Sequence, residues 1–451
     1  MVYFVRYWYF RRIFIDPFDQ DPGPQVEYVD PEYVQRLTPL HLVCLKYPKD
    51  LGLLQTYFRL NDEANETLEI DARDARGNTP LHYALEYGRN RNITEKTVEL
   101  LLRRGADPNL ANDDGRTPLH FISRRYDFGD RFVDEFFAIC GELQRTLLID
   151  ARDKWGDTPL HLALKSRLYC TGHIIELLLR RGTDPNLAGA KGFTALHILC
   201  QRQRQCWIER LQELFRISDD MGQRLLMDAR DEFGRTALQW AVATFNPDVV
   251  DLLLARGAQL AADFRFPDAT CLADRYRQDN DFGWGYKLEL AAGALAIVER
   301  LEEAGYAIDR AAAMNIMKLF ELYGIYEDTD ARNGFWDHSE HCVELTKSTM
   351  IKSTLSLYDL FELRAEEAAR LLTYRDYLSI ASSHINLIDG MHRHFHLCET
   401  VSRGFFRSWA LDPFLELTRD RLPILCCEMI IDEFKNEDLY RICLANEAQS
   451  S

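Results

Sequence analysis

Thr79-Pro80-Leu81-His82 is a helix start compressed into four residues, and the chain keeps returning to it. Full copies stand at Thr38 to His41, Thr117 to His120 and Thr158 to His161, with weaker ones at Thr194-Ala195-Leu196-His197 and Thr236-Ala237-Leu238-Gln239. Thr can cap the first free backbone N–H groups. Pro at the first helical position gives up a donor that had no partner, and its fixed φ suits the helix. Leu then faces a core, and His is placed to bridge to a neighbouring turn. Recurrence at this density is an internal repeat, which must be settled before any fold is proposed.

The copies start at residues 38, 79, 117, 158, 194 and 236, with unequal steps of 41, 38, 41, 36 and 42. Taken two at a time the steps even out to 79, 79, 77 and 78. The junctions alternate in the same way. Leu101-Leu102-Arg103-Arg104-Gly105-Ala106-Asp107-Pro108-Asn109-Leu110 returns at 178–187 with Thr183 for Ala and in part at 253–258, while Asp-Ala-Arg-Asp stands at 71–74, 150–153 and 228–231. The array therefore reads as a duplicated pair of unequal repeats. Each unit parses as helix, turn, helix, loop. The second helix carries an apolar stripe at helical spacing, such as Val98, Leu101 and Leu102 or Ile174, Leu177 and Leu178. Gly105, Gly182 and Gly257 sit where a left-handed helix stop favours Gly. The Arg pairs before Gly105 and Gly182 are expected to complement the helix C-terminus. Asp74 to Thr79, Asp153 to Thr158 and Asp231 to Thr236 share the form Asp-x-x-Gly-x-Thr, and Asn112 to Thr117 is close to it.

These marks resemble the ankyrin-repeat family over about residues 37–260. The units are longer than the family's usual ~33 residues, with extra length near 61–70, 126–148 and 201–226, expected in the second helix or its flanking loop. By the family's pattern, binding falls on the turn tips and the inner face of the first helices. The tips are Ala75, Arg76 and Asn78; Asp113, Asp114 and Arg116; Lys154, Trp155 and Asp157; Lys191 and Phe193; Glu232, Phe233 and Arg235. The target-binding expectation rests on Arg76, Asn78, Asp114, Arg116, Trp155, Asp157, Lys191, Phe193, Phe233 and Arg235. Trp155, Phe193 and Phe233 stand out, because large aromatics are enriched at binding hot spots; each ring could instead fold back on a neighbouring turn.

Past residue 260 the pattern decays. Ala294 to Leu301 followed by Gly305 reads as the second helix of a degenerate seventh unit, helical text continues to Gly324, and 325–340 reads as a hinge. Residues 341–451 are a different, helically patterned text. Near its end Leu422-Pro423, Ile430-Ile431, Phe434 and Asp438-Leu439 match, in register, the F-box, the helical motif that docks a receptor on the Skp-type adaptor of cullin ubiquitin ligases. Leu425 departs from the Glu usual there, and with twelve residues after Leu439 the resemblance implies a third helix that is short or absent. The whole block, including Asp359-Leu360, Glu366 to Leu372, Arg403-Gly404-Phe405-Phe406 and Trp409-Ala410, resembles the PRANC arrangement of poxvirus and parasitoid-wasp ankyrin proteins. That resemblance implies ligase recruitment, adaptor contacts at Leu422, Pro423, Ile430, Ile431, Phe434, Asp438 and Leu439, and a role in host manipulation. Physics asks only that this apolar stripe be buried somewhere, since a helix so short is not stable alone in water. The stripe could equally pack on the preceding helices.

Composition narrows the rest. Lys+Arg 54 against Asp+Glu 71 gives a net charge of −17, which argues against general nucleic-acid binding. Eleven scattered cysteines without zinc-type spacing fit reduced thiols in the cytosol or nucleus. The aromatic N-terminus, broken by Arg6, Arg11 and Arg12, is too short to span a bilayer and is expected to cap the first repeat, and residues 16–36 with four prolines read as a lead-in. The Asn65 and Asn92 glycosylation patterns are common by chance. His392, His394, His396 and Cys398 would align only on a strand, and the surroundings read helical. Neither they nor His338, His341 and Cys342 make a metal site. No phosphate loop or hydrolase signature is present.

The expected architecture is all-α: a lead-in at 1–36, an ankyrin solenoid over 37–324, a hinge at 325–340 and an F-box-like helical domain over 341–451. The expected function is a non-enzymatic substrate receptor whose partners are a target protein and a Skp-type adaptor, with no cofactor, membrane or nucleic acid, and monomeric outside that complex. The other reading is an ankyrin inhibitor that sequesters a signalling protein or transcription factor, with 341–451 a structural cap.

Overall fold

A computed structural model describes residues 37–46, 51–65, 67–88, 91–125, 130–166, 172–201, 205–260, 264, 266–267, 285–326, 340–383, 394–419 and 421–450. The N-terminal lead-in lies outside the described residues, as do Glu66 of the Asn65 pattern, most of the expected hinge, His338 and His392. The chain divides into two compact units, one of residues 1–199, 209–226 and 230–234, the other of 200–208, 227–229 and 235–451.

The first unit holds helix pairs: α1 (Pro39–Lys46) and α2 (Leu51–Ala64), α3 (Pro80–Tyr87) and α4 (Arg91–Arg103), α5 (Pro118–Arg124) and α6 (Asp130–Glu142), α7 (Pro159–Lys165) and α8 (Gly172–Arg180). The fifth pair is α9 (Ala195–Cys200) and α10 (Gln205–Asp220), of which Cys200 and residues 205–208 are assigned to the second unit. Every full TPLH copy starts its helix at the Pro, as the sequence predicts. The second helices α2, α6 and α10 have 14, 13 and 16 residues against 9 in α8, but α4, in a repeat without the extra length, also has 13, so lengthening of the helix is clear only for α10.

The imidazole of each TPLH does two things at once. The Thr79 N–H donates to His82 Nδ1 at 3.0 Å, and the ring's other nitrogen, Nε2, lies 3.0 Å from the Arg116 carbonyl of the next repeat. An Nδ1 that accepts from an amide leaves the proton on Nε2, so the ring is neutral and its tautomer is set by its bonds. His41 reaches Asn78 O at 3.0 Å, His120 reaches Asp157 O at 3.2 Å and His161 reaches Phe193 O at 2.9 Å in the same way. All four rings are buried. Between them the turns are built by the Asp of Asp-x-x-Gly-x-Thr. Asp74 Oδ1 accepts from the Arg76 and Asn78 amides, both at 2.7 Å, and Oδ2 accepts from the Tyr83 hydroxyl at 2.8 Å. Gly77 has a φ of 71°, and a Cβ there would fall 2.9 Å from the Asp113 amide nitrogen of the next turn.

Two kinds of latch alternate along the unit, which is the physical content of the pair repeat. At one kind of junction, Asp71 accepts from the Asp107 amide at 3.1 Å and Asp150 from the Asp184 amide at 3.3 Å. At the other, Asn109 donates to Thr146 O at 2.7 Å and accepts from the Leu148 amide at 2.8 Å. Asn186 grips Arg224 O at 2.9 Å and the Leu226 amide at 2.8 Å in the same manner. The Arg pairs before Gly105 and Gly182 do more than complement helix ends. Arg104 lies over the Phe58 ring at 4.5 Å and pairs with Asp62, while Arg181 lies over Phe137 at 4.6 Å. Each long side chain therefore covers an aromatic of the preceding repeat's second helix.

The second unit contains α11 (Ala237–Ala243) and α12 (Pro247–Ala255), then α13 (Gly285–Glu303), which includes the stretch expected as the second helix of a degenerate unit, and α14 (Arg310–Leu322). It continues with α15 (Glu340–Ser348), a hairpin of β1 (Met350–Lys352) and β2 (Leu355–Ser356), α16 (Leu357–Glu362), α17 (Ala365–Leu371), α18 (Tyr374–Ser383), α19 (His394–Leu417), α20 (Ile424–Asp432) and α21 (Asn436–Ser450). In α11 the missing His is replaced in kind, because Gln239 Oε1 accepts from the Thr236 amide at 2.9 Å. Helix α13 is apolar on nearly every face, with Leu288, Leu290, Ala291, Ala292, Ala294 to Val298 and Leu301 all buried; such a helix must lie inside a core. It packs against α12 on the repeat side and against α18 and α19 of the C-terminal text. Residues 327–339 of the expected hinge lie outside the described residues, but the helices before and after them share this core. Helix α14 also meets α19 and α21, where Phe406 packs edge-on against Phe320 and Tyr326. Helix α19 begins at His394, so His394, His396 and Cys398 are helical and do not align as on a strand.

Two outcomes are expected. His82→Gln should lose little stability and His82→Ala about 2–4 kcal/mol in urea melts, because Ala leaves a cap amide and a neighbouring carbonyl unpaired inside the protein. Burial lowers the His82 pKa from 6.5 to about 4 and also lowers those of His41, His120 and His161. The unfolded chain therefore binds more protons than the folded one as the pH falls below 6.5. Full stability is present above that value and is lost towards pH 4, by about 1.4 kcal/mol per pH unit for each ring still neutral. Melts at a series of pH values check both sign and window.

Candidate protein-binding surfaces

Three of the four neighbouring pairs of turns in the first unit are bonded through their backbones, and the fourth through the Ala190 amide donating to the Asp157 carboxylate at 2.9 Å. The Asp113 amide donates to Arg76 O at 2.9 Å, Lys154 to Asp114 O at 2.7 Å and Glu232 to Lys191 O at 3.1 Å. The turn tips thus form a row with fixed spacing. Within it, Arg76, Lys154, Trp155, Lys191, Glu232 and Phe233 are exposed. Trp155 keeps 47% of its surface open although Arg116 lies 4.6 Å and the Lys154 ammonium 4.3 Å from its ring centre. Arg116 is itself held by the buried Asp153 at 3.5 Å, and Lys154 pairs with Asp114. The ring is therefore ordered before any partner arrives. Phe233 is more open still, at 58%.

Other expected tip residues turn inward. Asp157 is buried, taking both oxygens to Lys165 Nζ at 2.6 Å and accepting from the Ala190 amide at 2.9 Å. A partner cannot reach it, and it belongs to the scaffold. Asn78 bridges Asp74 and Asn112 and is half-buried. Phe193 folds back and stacks on His197 with ring centres 6.1 Å apart. Arg235, in the second unit, lies over the Trp240 ring at 4.9 Å. Asp114 is half-covered and Arg116 mostly so.

The second surface is the α20–α21 hairpin. Its inner side is sealed: Cys427, Ile431, Leu439, Tyr440 and Cys443 are buried, and α19 packs on both helices. Arg403 of α19 locks the turn between them. Its guanidinium donates to the Ile431 and Asp432 carbonyls at 2.9 and 3.0 Å and to the Phe434 carbonyl. Buried Asn436 adds donors to Ser402 Oγ at 2.9 Å and to Glu399 O at 3.1 Å, and Arg407 pairs with Asp432 at 2.5 Å. The outer side is apolar and open, with Ile424 at 52%, Leu425 at 69% and Met429 at 71%, flanked by exposed Leu422, Pro423 and Cys426.

Of the residues expected to meet an adaptor, Leu422 and Pro423 are exposed and Ile430 and Phe434 are half-buried. Ile431 and Leu439 are packed inside the unit and cannot touch a partner without unfolding it. Asp438 is half-buried and accepts from the Lys435 amide at 3.2 Å, opening α21. Leu425 and Met429, the most open apolar side chains of the hairpin, were not among the expected contacts. Seven of the nine residues of α20 are apolar, with Glu428 and Asp432 one turn apart, so its pattern does not say which apolar flank is covered.

The thiols Cys44, Cys140, Cys200, Cys398 and Cys443 are buried, and burial pushes their pKa values up, so they remain protonated and unreactive. Among the described residues no helix is long and apolar enough to cross a membrane.

The comparisons with known proteins fall on the array. Ankyrin repeats, three copies, match residues 89–187 and 168–263. The chain is similar to the ANK repeat-containing protein nipk-1 of Caenorhabditis elegans, 27% identical over 32% of this chain and 24% of that one. It is also similar to the human B-cell lymphoma 3 protein, 31% identical over 34% of this chain and 31% of that one. The chain thus spans about a quarter to a third of the length of these curated relatives. The crystal structure of the ankyrin repeat domain of Bcl-3 matches at 24% identity and a TM-score of 0.39, over 49% of this chain and 87% of that one. The repeats are ankyrin repeats, and such repeats are protein–protein interaction modules.

Replacing Arg403 by Gln should cost about 2–3 kcal/mol, the worth of charge-assisted bonds to several carbonyls. Urea melts check it. Lys at the same position should recover only part of the loss, since it lacks the planar fork.

Proposed function

We propose that this chain is a substrate receptor: the turn row holds a target protein and the outer face of α20 docks a Skp-type adaptor of a cullin ubiquitin ligase. The observation that carries the reading is the open apolar patch of Leu422, Ile424, Leu425 and Met429 on a helix whose inner side packs on α19 and whose C-terminal turn is held by Arg403. Covering a Leu or Met side chain fully is worth about 1.5–3 kcal/mol, and a monomer has no use for so rigid an apolar patch left in water. The in-register F-box resemblance of the same segment supplies the partner. The chain itself contributes no catalytic residue in this reading and works where cullin ligases do, in cytosol or nucleus.

One observation favours the second reading, a sequestering inhibitor whose C-terminal text is only a cap. Ile431 and Leu439, two positions of the F-box pattern, are packed inside the second unit. The two readings part at the adaptor. The intact chain should capture a purified Skp-type adaptor, and Leu425→Asp with Met429→Asp should weaken capture at least tenfold (about 1.4 kcal/mol) with an unchanged melting temperature. Capture by neither protein returns the C-terminal text to a cap. Truncation is a poor control, because removing α20 and α21 would strip the core face of α19.

A further inference from the structure

In a chain with a net charge of −17, the side chains that the turn row points outward are mainly cations. Asp74, Asp153 and Asp231 of these turns are buried, accepting from the amides of their own loops. The charged side chains facing solvent are Arg73, Arg76, Arg152, Lys154, Lys191 and Arg230, against Asp113, Glu232 and the half-covered Asp114; Arg73 pairs with Asp113 at 3.4 Å and Lys154 with Asp114. Trp155 stands open within this row, held beside Arg116 and Lys154.

We propose that the target segment laid along this row is acidic and extended, and that it sets a large apolar side chain on Trp155. This rests on the reading of the array as the target-holding half. Charge complementarity selects the partner and speeds its approach more than it adds affinity. The ordered, half-open indole supplies the anchor, as aromatic hot spots do. The row is also suited to a strand of definite length. Four inter-repeat steps of roughly 10 Å span about twelve extended residues. The inward acids matter as much as the outward bases, because a carboxylate bonded to its own loop's amides neither repels the partner nor competes for the cations that face it. Single-stranded nucleic acid presents the same two features, negative charge and stacking surfaces. Successive bases stack on closely spaced aromatics, whereas the exposed rings of the tips, Trp155 and Phe233, lie two turns apart; such a strand is the competing outcome of the test.

The test uses the full-length chain and a fluorescein-labelled peptide of about twelve residues, the length the row spans, Glu throughout except for two central Leu. Anisotropy should report binding that weakens about tenfold between roughly 50 and 300 mM salt, as screened contacts do. The counterpart with Gln for Glu should bind at least tenfold more weakly. Trp155→Ala, and separately Arg76→Glu with Lys191→Glu, should each cost tenfold or more, with melting temperatures unchanged. Equal binding of the Gln peptide, indifference to these variants, or no binding of the Glu peptide overturns the proposal. So does tighter binding of a single-stranded DNA of the same length. The same preparations are offered the Skp-type adaptor. Adaptor capture without peptide binding defeats this inference alone, and peptide binding without adaptor capture defeats the receptor reading alone.

Discussion

A buried imidazole that accepts with one nitrogen and donates with the other is the interaction on which the array depends. Its Nδ1 takes the cap amide of its own helix, and its Nε2 gives a proton to a carbonyl of the next repeat. Neither group has water to turn to, so the bond is favoured by the low dielectric around it and costly to leave unmade. The same ring therefore starts a helix and sets the position of its neighbour. Where Gln239 replaces it, the amide oxygen repeats the first task.

Around that bridge the remaining latches have a division of labour. Asp71 and Asp150 secure one kind of junction, Asn109 and Asn186 the other, and the backbone bonds between turns tie the tips together. Solenoid contacts are local, so the spacing of Arg76, Trp155 and Lys191 is inherited from a chain of short-range bonds. The row of turn tips is thereby fixed without any residue having to be rigid by itself.

Much of this was legible in the residues. Thr, Pro and His announce a cap, and Gly77 announces its turn, because those types have few other uses in that order. The pair period was legible too, as spacing; its cause was not, since Asn109 and Asn186 reveal themselves only when the loop they grip is brought alongside. Position in a motif misled at Asp157, where a nominal tip residue is drawn inward by Lys165. The hairpin shows the limit most clearly. Seven apolar residues among the nine of α20 leave no clear period to say which side finds a neighbour. Packing against α19 buried Ile431 and left Leu425 and Met429 outside.

Helix α13 belongs equally to the repeats before it and to the C-terminal helices after it. Its buried residues serve α12 on one side and α18 and α19 on the other. The C-terminal text is thus not a cassette that could be lifted from one array and set down on another. A transfer of residues 341–451 alone would arrive with the core faces of α18 and α19 bare, and would need a recipient whose last repeat already presented the same apolar helix. Inheritance of the C-terminal hairpin is tied to inheritance of α13, and exchange among related proteins should be found upstream, where whole TPLH pairs can be gained or lost without touching that helix.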